Sequence, residues 1–137
     1  MNVRLLRKIV KVIQEKPRQF KMTYWHNNET VKDDMRRRGD WRNIEALCML
    51  PEEKRIACDT THCIAGWAQA ISNDRKCNAP AEKDAKRLLG LSKSQAQRLF
   101  FADQWPEQFR GVKDQWKMSP AKAAARIEHF IKTRGKE

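Results

Sequence analysis

The residues with the greatest chemical potential are concentrated around position 60. Cys58, His62 and Cys63 lie close together, and thiols and imidazoles are zinc ligands. Structural zinc sites usually draw on two Cys-x2–4-Cys modules, whereas only one pair is close here and Cys48 and Cys77 are isolated. The spacing therefore favours buried core thiols, and we predict no metal and no cofactor.

A nucleophilic thiol is the second chemical interpretation of this stretch. Cys63 lies at the N-terminus of a predicted helix, and this position lowers the pKa of a thiol. The base would be His62, His26 or His129, but adjacent side chains on a helix point about 100° apart. We predict that the protein is not an enzyme; a thiol or metal site at Cys58, His62 and Cys63 is kept as an alternative. A Cys58–Cys63 disulfide is also feasible, although a reducing compartment disfavours it.

The charge is the strongest global signal. The 137 residues include 29 Lys and Arg against 17 Asp and Glu, a net charge of +12. The excess recurs in residues 4–21, 75–98 and 110–136, which favours a polyanionic partner such as DNA or RNA over a solvated basic surface. The second hypothesis is an inhibitor or assembly factor that binds an acidic protein surface. The predicted nucleic-acid-binding residues are Arg4, Lys8, Lys11, Arg36, Arg37, Arg38, Lys93 and Arg98.

Residues 85–99 have the pattern of a helix-turn-helix. Apolar and small residues precede a Gly-Leu-Ser turn, and polar side chains such as Lys93, Gln97 and Arg98 follow it. Such side chains reach base edges when the second helix enters the major groove. The same sequence also suits a helical hairpin without DNA contacts, and that interpretation is favoured because the second helix ends in Leu99 and Phe100.

A slim helix is predicted over residues 63–72, and the other elements must pack around it. Thr60 or Thr61 is the predicted N-cap, and small residues such as Gly66 and Ala68 allow neighbouring helices to approach closely. Trp67 points to one face. We expect an all-α, compact single-domain bundle of five to six helices over residues 1–137.

The remaining helices are marked by their starts and stops. One covers residues 3–15 and ends before Pro17, and a short one covers 41–50. Another starts near Pro80 and ends at a left-handed Gly90. A Ser92–Gln95 capping box opens the next, and Ser119-Pro120 opens the last, which ends near Gly135. Residues 20–25 are predicted to be extended without a partner strand, and 26–55 to be a loop-rich insertion.

The chain has no apolar run near 18 residues and no signal-peptide core at its N-terminus. A cytoplasmic location with no membrane contact is expected.

Two motifs carry a resemblance. The first motif is Cys58-x4-Cys63-Ile-Ala-Gly-Trp. The second begins at Leu89, directly after Leu88, and is Leu-Gly-Leu-Ser-x2-Gln-Ala-x2-Leu-Phe. In this order the two motifs resemble those of a group of small bacterial and phage proteins with no established activity. This chain differs from them in the longer segment 26–55 and in Asp59, where glycine is usual. The resemblance implies a phage or mobile-element setting, in which small basic proteins often bind nucleic acid or disable host machinery.

Overall fold

A computed structural model describes residues 1–20, 22, 26–28, 60–72, 81–110 and 118–137. The helices of this part are α1 (Val3–Glu15), α2 (Ile64–Ala70), α3 (Ala81–Leu89), α4 (Lys93–Phe100) and α5 (Pro120–Lys132). Two short strands, β1 (His26–Asn28) and β2 (Thr60–His62), pair with each other. The predicted all-α class and compact helical fold are confirmed. The predicted helix over residues 41–50 lies outside the described residues.

The α2 helix lies at the centre of the fold. All seven of its residues are buried, and it packs against α1, α3, α4 and β2. Small residues make up most of this buried helix, and they are Ala65, Gly66, Ala68 and Ala70. The helix α1 in turn packs most extensively against α5, and these are the two longest helices of the described residues.

The predicted threonine cap of α2 is wrong. Thr60 and Thr61 belong to β2, where they pair with Asn28 and Asn27, so the helix begins only after the strand ends. Cys63 is the N-cap, with extended φ and ψ of −81° and −175°, and its Sγ accepts a hydrogen bond from the Gly66 N–H.

The central helix is also shorter than predicted. It ends at Ala70 rather than at Ser72. The Ile71 N–H donates to the Trp67 carbonyl and closes the last turn. The Ser72 hydroxyl donates to the Gln69 carbonyl at 3.0 Å, so it caps the turn instead of extending it.

The segment after α1 has the partner strand that the sequence analysis did not find. Phe20 is buried and forms a parallel bridge with His62. Residues 26–28, predicted to lie in a loop, instead form the antiparallel partner of β2, with His26 opposite His62. Strand pairing joins residues far apart in sequence, which local patterns do not reveal.

Other predicted helix boundaries are confirmed. Gly90 adopts a left-handed φ of +59° after α3. The Ser92 hydroxyl and the Gln95 side chain form the predicted capping box of α4, and the Ser119 hydroxyl caps α5 with Pro120 in the first turn. A 3-10 turn begins at Pro17, directly after α1.

A buried polar pair joins α2 to α3. The Gln69 Nε2 donates to the Asp84 carboxylate at 2.9 Å, and both side chains are almost wholly buried. On the surface side, the Arg87 guanidinium lies 3.6 Å from the other Asp84 oxygen. A charged acceptor strengthens such a hydrogen bond, so this pair fixes the position of α3 against the central helix.

Candidate nucleic-acid interface

One side of α1 carries a row of exposed cations. Arg4, Arg7, Lys8 and Lys11 are all exposed, and at 3.6 residues per turn they fall within an arc of about 100°. The buried residues of the helix occupy the opposite side and are Leu5, Leu6, Ile9, Val10 and Ile13. We call the four cations the basic face of α1. Core packing of the apolar side holds this face toward solvent.

Little acid neutralises the basic face. Glu15 is the one acidic residue of α1, and its carboxylate lies 3.7 Å from the Lys11 Nζ. Both side chains are largely exposed, at 55% and 74%, and ion pairs of this kind contribute little. Within the described part of the chain, Arg4, Arg7 and Lys8 have no acidic partner. The predicted residues Arg4, Lys8 and Lys11 therefore lie together on one accessible surface, and Arg7 adds a fourth cation that the prediction omitted.

A pocket of about 350 Å³ opens beside this face. Arg4 and Lys8 line it from α1, and Leu88 lines it from the last turn of α3. Ile71 and Ser72, which follow α2, close another side. Two of the predicted phosphate contacts thus border an open, shallow depression of the surface.

The other predicted residues lie elsewhere. Lys93 and Arg98 belong to α4, both are exposed, and neither lines the pocket. The Arg98 Nη1 donates to the Gly135 carbonyl at 3.3 Å, so this arginine helps to hold the C-terminal residues. The arginine triplet at 36–38 lies outside the described residues.

A short Gly-Leu-Ser turn joins α3 to α4, as the sequence predicts. Lys93, Ser94 and Gln97 are exposed on α4, whereas Ala96, Leu99 and Phe100 face the core. The Gln95 side chain is used structurally. Its Oε1 accepts from the Ser92 N–H and its Nε2 donates to the Arg134 carbonyl. Contact between α4 and DNA bases stays a prediction, and Gln95 is no longer among the side chains available for it.

The thiol of Cys63 is in the wrong environment for a nucleophile. Burial raises its pKa from 9.0 to about 11 and outweighs the hydrogen bonds from the helix N-terminus, led by that of Gly66, which lower it. The predicted lowering of this pKa is therefore wrong. His62 is also buried, and its ring lies 4.4 Å from the Trp67 ring. Cys58 lies outside the described residues.

The other two histidines, which the sequence offered as bases for Cys63, lie in other elements. The His129 Nε2 lies 2.9 Å from the Glu137 carboxylate, and its ring lies 5.2 Å from that of Phe109. His26 belongs to β1. Among the described residues, no three His, Cys, Asp or Glu side chains are grouped closely enough to hold a metal ion.

A buried arginine in α5 was missed by the sequence analysis. Arg126 is 0% exposed, with its guanidinium carbon 5.3 Å from the Phe130 ring centre and 5.9 Å from that of Phe109. Its Nη2 donates to the Arg98 carbonyl, while its Nε and Nη1 have no hydrogen-bond partner among the described residues. The helical spacing of Arg126 could have indicated that it is buried, because it lies three residues after the buried Ala123 and four before the buried Phe130.

Comparison with family models, with curated proteins and with solved structures finds no match to this chain. The resemblance to small phage proteins therefore stays a prediction. In the described part of the chain, the helices are too short or too polar to cross a bilayer.

Proposed function

We propose that the protein binds nucleic acid without catalysing a reaction, using the basic face of α1 as its phosphate-binding surface. The observation that carries this proposal is the placement of Arg4, Arg7, Lys8 and Lys11 on one exposed side of a helix with a single acid. The phage or mobile-element setting belongs to the same proposal.

The dimensions of the basic face suit a phosphate backbone. Arg4 and Lys11 are separated by about 10 Å along the helix axis, at 1.5 Å per residue. That length corresponds to about three nucleotide steps of one strand in duplex DNA. Arginine offers paired N–H donors and lysine a mobile point charge, and both bind phosphate oxygens. Because backbone contacts carry no base information, the expected binding is insensitive to sequence.

The test is binding of labelled duplex DNA and single-stranded RNA across a salt series. If all four cations contact phosphates, the plot of log affinity against log salt should have a slope of about −4 for DNA and about −3 for single strands. Replacing Arg4 and Lys8 together by glutamine should reduce the magnitude of that slope by about two. Both residues are exposed, so the variant should retain its thermal stability.

A matched control separates position from net charge. Lys83 on α3 and Lys132 on α5 are also exposed, and replacing both by glutamine removes the same charge away from the basic face. This control should lose less affinity than the Arg4/Lys8 variant. Equal losses would mean that net charge alone drives binding. No binding at low salt would refute the proposal and direct attention to an acidic protein partner.

A further inference from the structure

Hydrogen bonds within the protein hold the walls of the pocket beside the basic face. The Asn2 side chain caps α1 by accepting from the Leu5 N–H, and its Nδ2 donates to the Leu88 carbonyl at 3.3 Å. The Asn2 N–H donates to the Leu89 carbonyl at 2.6 Å. These bonds attach the start of α1 to the end of α3, while the buried Gln69–Asp84 bond attaches α3 to α2. The three walls of the pocket are therefore fixed relative to one another.

The charge of the pocket favours an anion. Arg4 and Lys8 lie one turn apart on α1, and among the described residues that line the pocket none is acidic. Like charges at this spacing repel each other, and a bound anion relieves that repulsion. The pocket also borders the first turn of α1, where the helix dipole is positive.

The uncharged walls select an organic anion of limited size. Leu5, Ile71 and Leu88 contribute apolar surface, which disfavours a fully hydrated inorganic ion. The volume of about 350 Å³ is at the lower end of the range of small-molecule sites, which begins at roughly 300 Å³. The lining residues that the structure describes include no aromatic ring, so they offer no surface on which a base would stack.

We propose that this pocket binds a phosphomonoester, with the phosphate between Arg4 and Lys8 and the attached sugar against Leu5, Ile71 and Leu88. A phosphomonoester carries a charge of about −1.5 to −2 near pH 7, which matches two cations better than the single charge of an internal phosphodiester. The source is either the phosphorylated end of a strand or a free mononucleotide. This inference rests on the proposed function and names the part of the nucleic acid that the basic face holds most tightly.

The test compares one single-stranded RNA sequence with a 5′-phosphate, with a 3′-phosphate and with hydroxyls at both ends, at low salt. A terminal phosphate should strengthen binding roughly tenfold. The Arg4→Gln/Lys8→Gln variant should lose this preference, while the Lys83→Gln/Lys132→Gln control should keep it. A nucleoside 5′-monophosphate should compete for the site more effectively than inorganic phosphate.

A second variant tests the pocket without changing its charge. Ser72→Met adds volume to one wall but also removes the hydroxyl that donates to the Gln69 carbonyl, so Ser72→Ala is its control. Ser72→Met should remove the preference for a terminal phosphate and Ser72→Ala should keep it, while both leave the salt slope intact. The thermal stability of both variants is measured alongside to check folding.

The outcomes separate the two proposals. Equal affinity for all three RNA ends, with steep salt dependence and no competition by the monophosphate, would overturn the pocket and leave the basic face as a general phosphate-binding surface. No binding of any RNA would overturn both. Competition by the monophosphate without a preference among the RNA ends would support the pocket and assign it to free mononucleotides.

Discussion

Replacing Arg126 by methionine should leave the protein at least as stable as it is now, although the change removes a charged residue with aromatic contacts. Burial lowers the pKa of the Arg126 guanidinium from its ordinary value to about 10, against an opposing effect of Glu137. At about 1.4 kcal/mol per pKa unit, the cation costs roughly 3 kcal/mol of folding stability at neutral pH. The cost would begin to disappear only above about pH 10, because a lowered pKa makes the unfolded state bind more protons than the folded state there.

The stabilising contacts offset part of this cost. The hydrogen bond from the Arg126 Nη2 to the Arg98 carbonyl contributes about 1 kcal/mol. The positions over Phe130 and Phe109 contribute about 1 kcal/mol more in total. Methionine loses these contacts but keeps most of the apolar volume, and its sulfur also packs well on aromatic rings. We therefore expect Arg126→Met to raise the free energy of unfolding by about 1 kcal/mol.

Alanine at the same position separates packing from charge. Arg126→Ala removes the same charge but leaves a cavity between Phe109 and Phe130, and cavities of large-to-small changes cost about 2–5 kcal/mol. We expect this variant to be less stable than Arg126→Met by about 2 kcal/mol or more. Lys132→Met, an exposed change on the same helix, should have an effect within about 0.5 kcal/mol of zero.

The assay is urea unfolding near neutral pH, followed by the fluorescence of the tryptophans, of which Trp67 and Trp105 are buried. Equal slopes of free energy against urea would show that the variants unfold to similar states. If Arg126→Met is less stable than the parent by more than about 1 kcal/mol, the guanidinium contributes net stability and the calculation from its burial is wrong.

Two further predictions concern glycines and the buried thiol. Gly135→Ala should lower the free energy of unfolding in urea by about 2 kcal/mol, and Gly90→Ala should lower it by about 1 kcal/mol. Both glycines have a positive φ, but a Cβ at Gly135 would also lie 2.6 Å from the Gln95 Nε2. Equal losses would contradict the role of that clash. Cys63 should be alkylated slowly at pH 8, as measured by peptide mapping. Because its folded-state pKa is raised, the protonated thiol should stabilise the folded state below about pH 9, and this contribution should be lost as pH rises toward 11. Alkylation of Cys63 as fast as a free cysteine in the folded protein would refute its burial.

Local sequence determined several of the helix ends. The starts of α4 and α5 follow from hydroxyl caps at Ser92 and Ser119, and the end of α3 from the left-handed Gly90. These signals act within one or two turns, so neighbouring residues are enough to predict them. The alternation of cations with buried apolar residues along α1 likewise predicts a basic side of the helix, because an α-helix separates residues by a constant angle.

Tertiary structure decided everything that depends on residues distant in sequence. The pairing of residues 26–28 with 60–62 moved the cap of α2 from a threonine to Cys63, and burial reversed the expected pKa change of that thiol. Arg126 lies in the core because Phe109 comes to meet α5. The pocket beside Arg4 exists because Asn2 bonds to the end of α3. Each of these results depends on which elements meet, and the free energy of such contacts is set by burial and geometry that no short stretch of sequence contains.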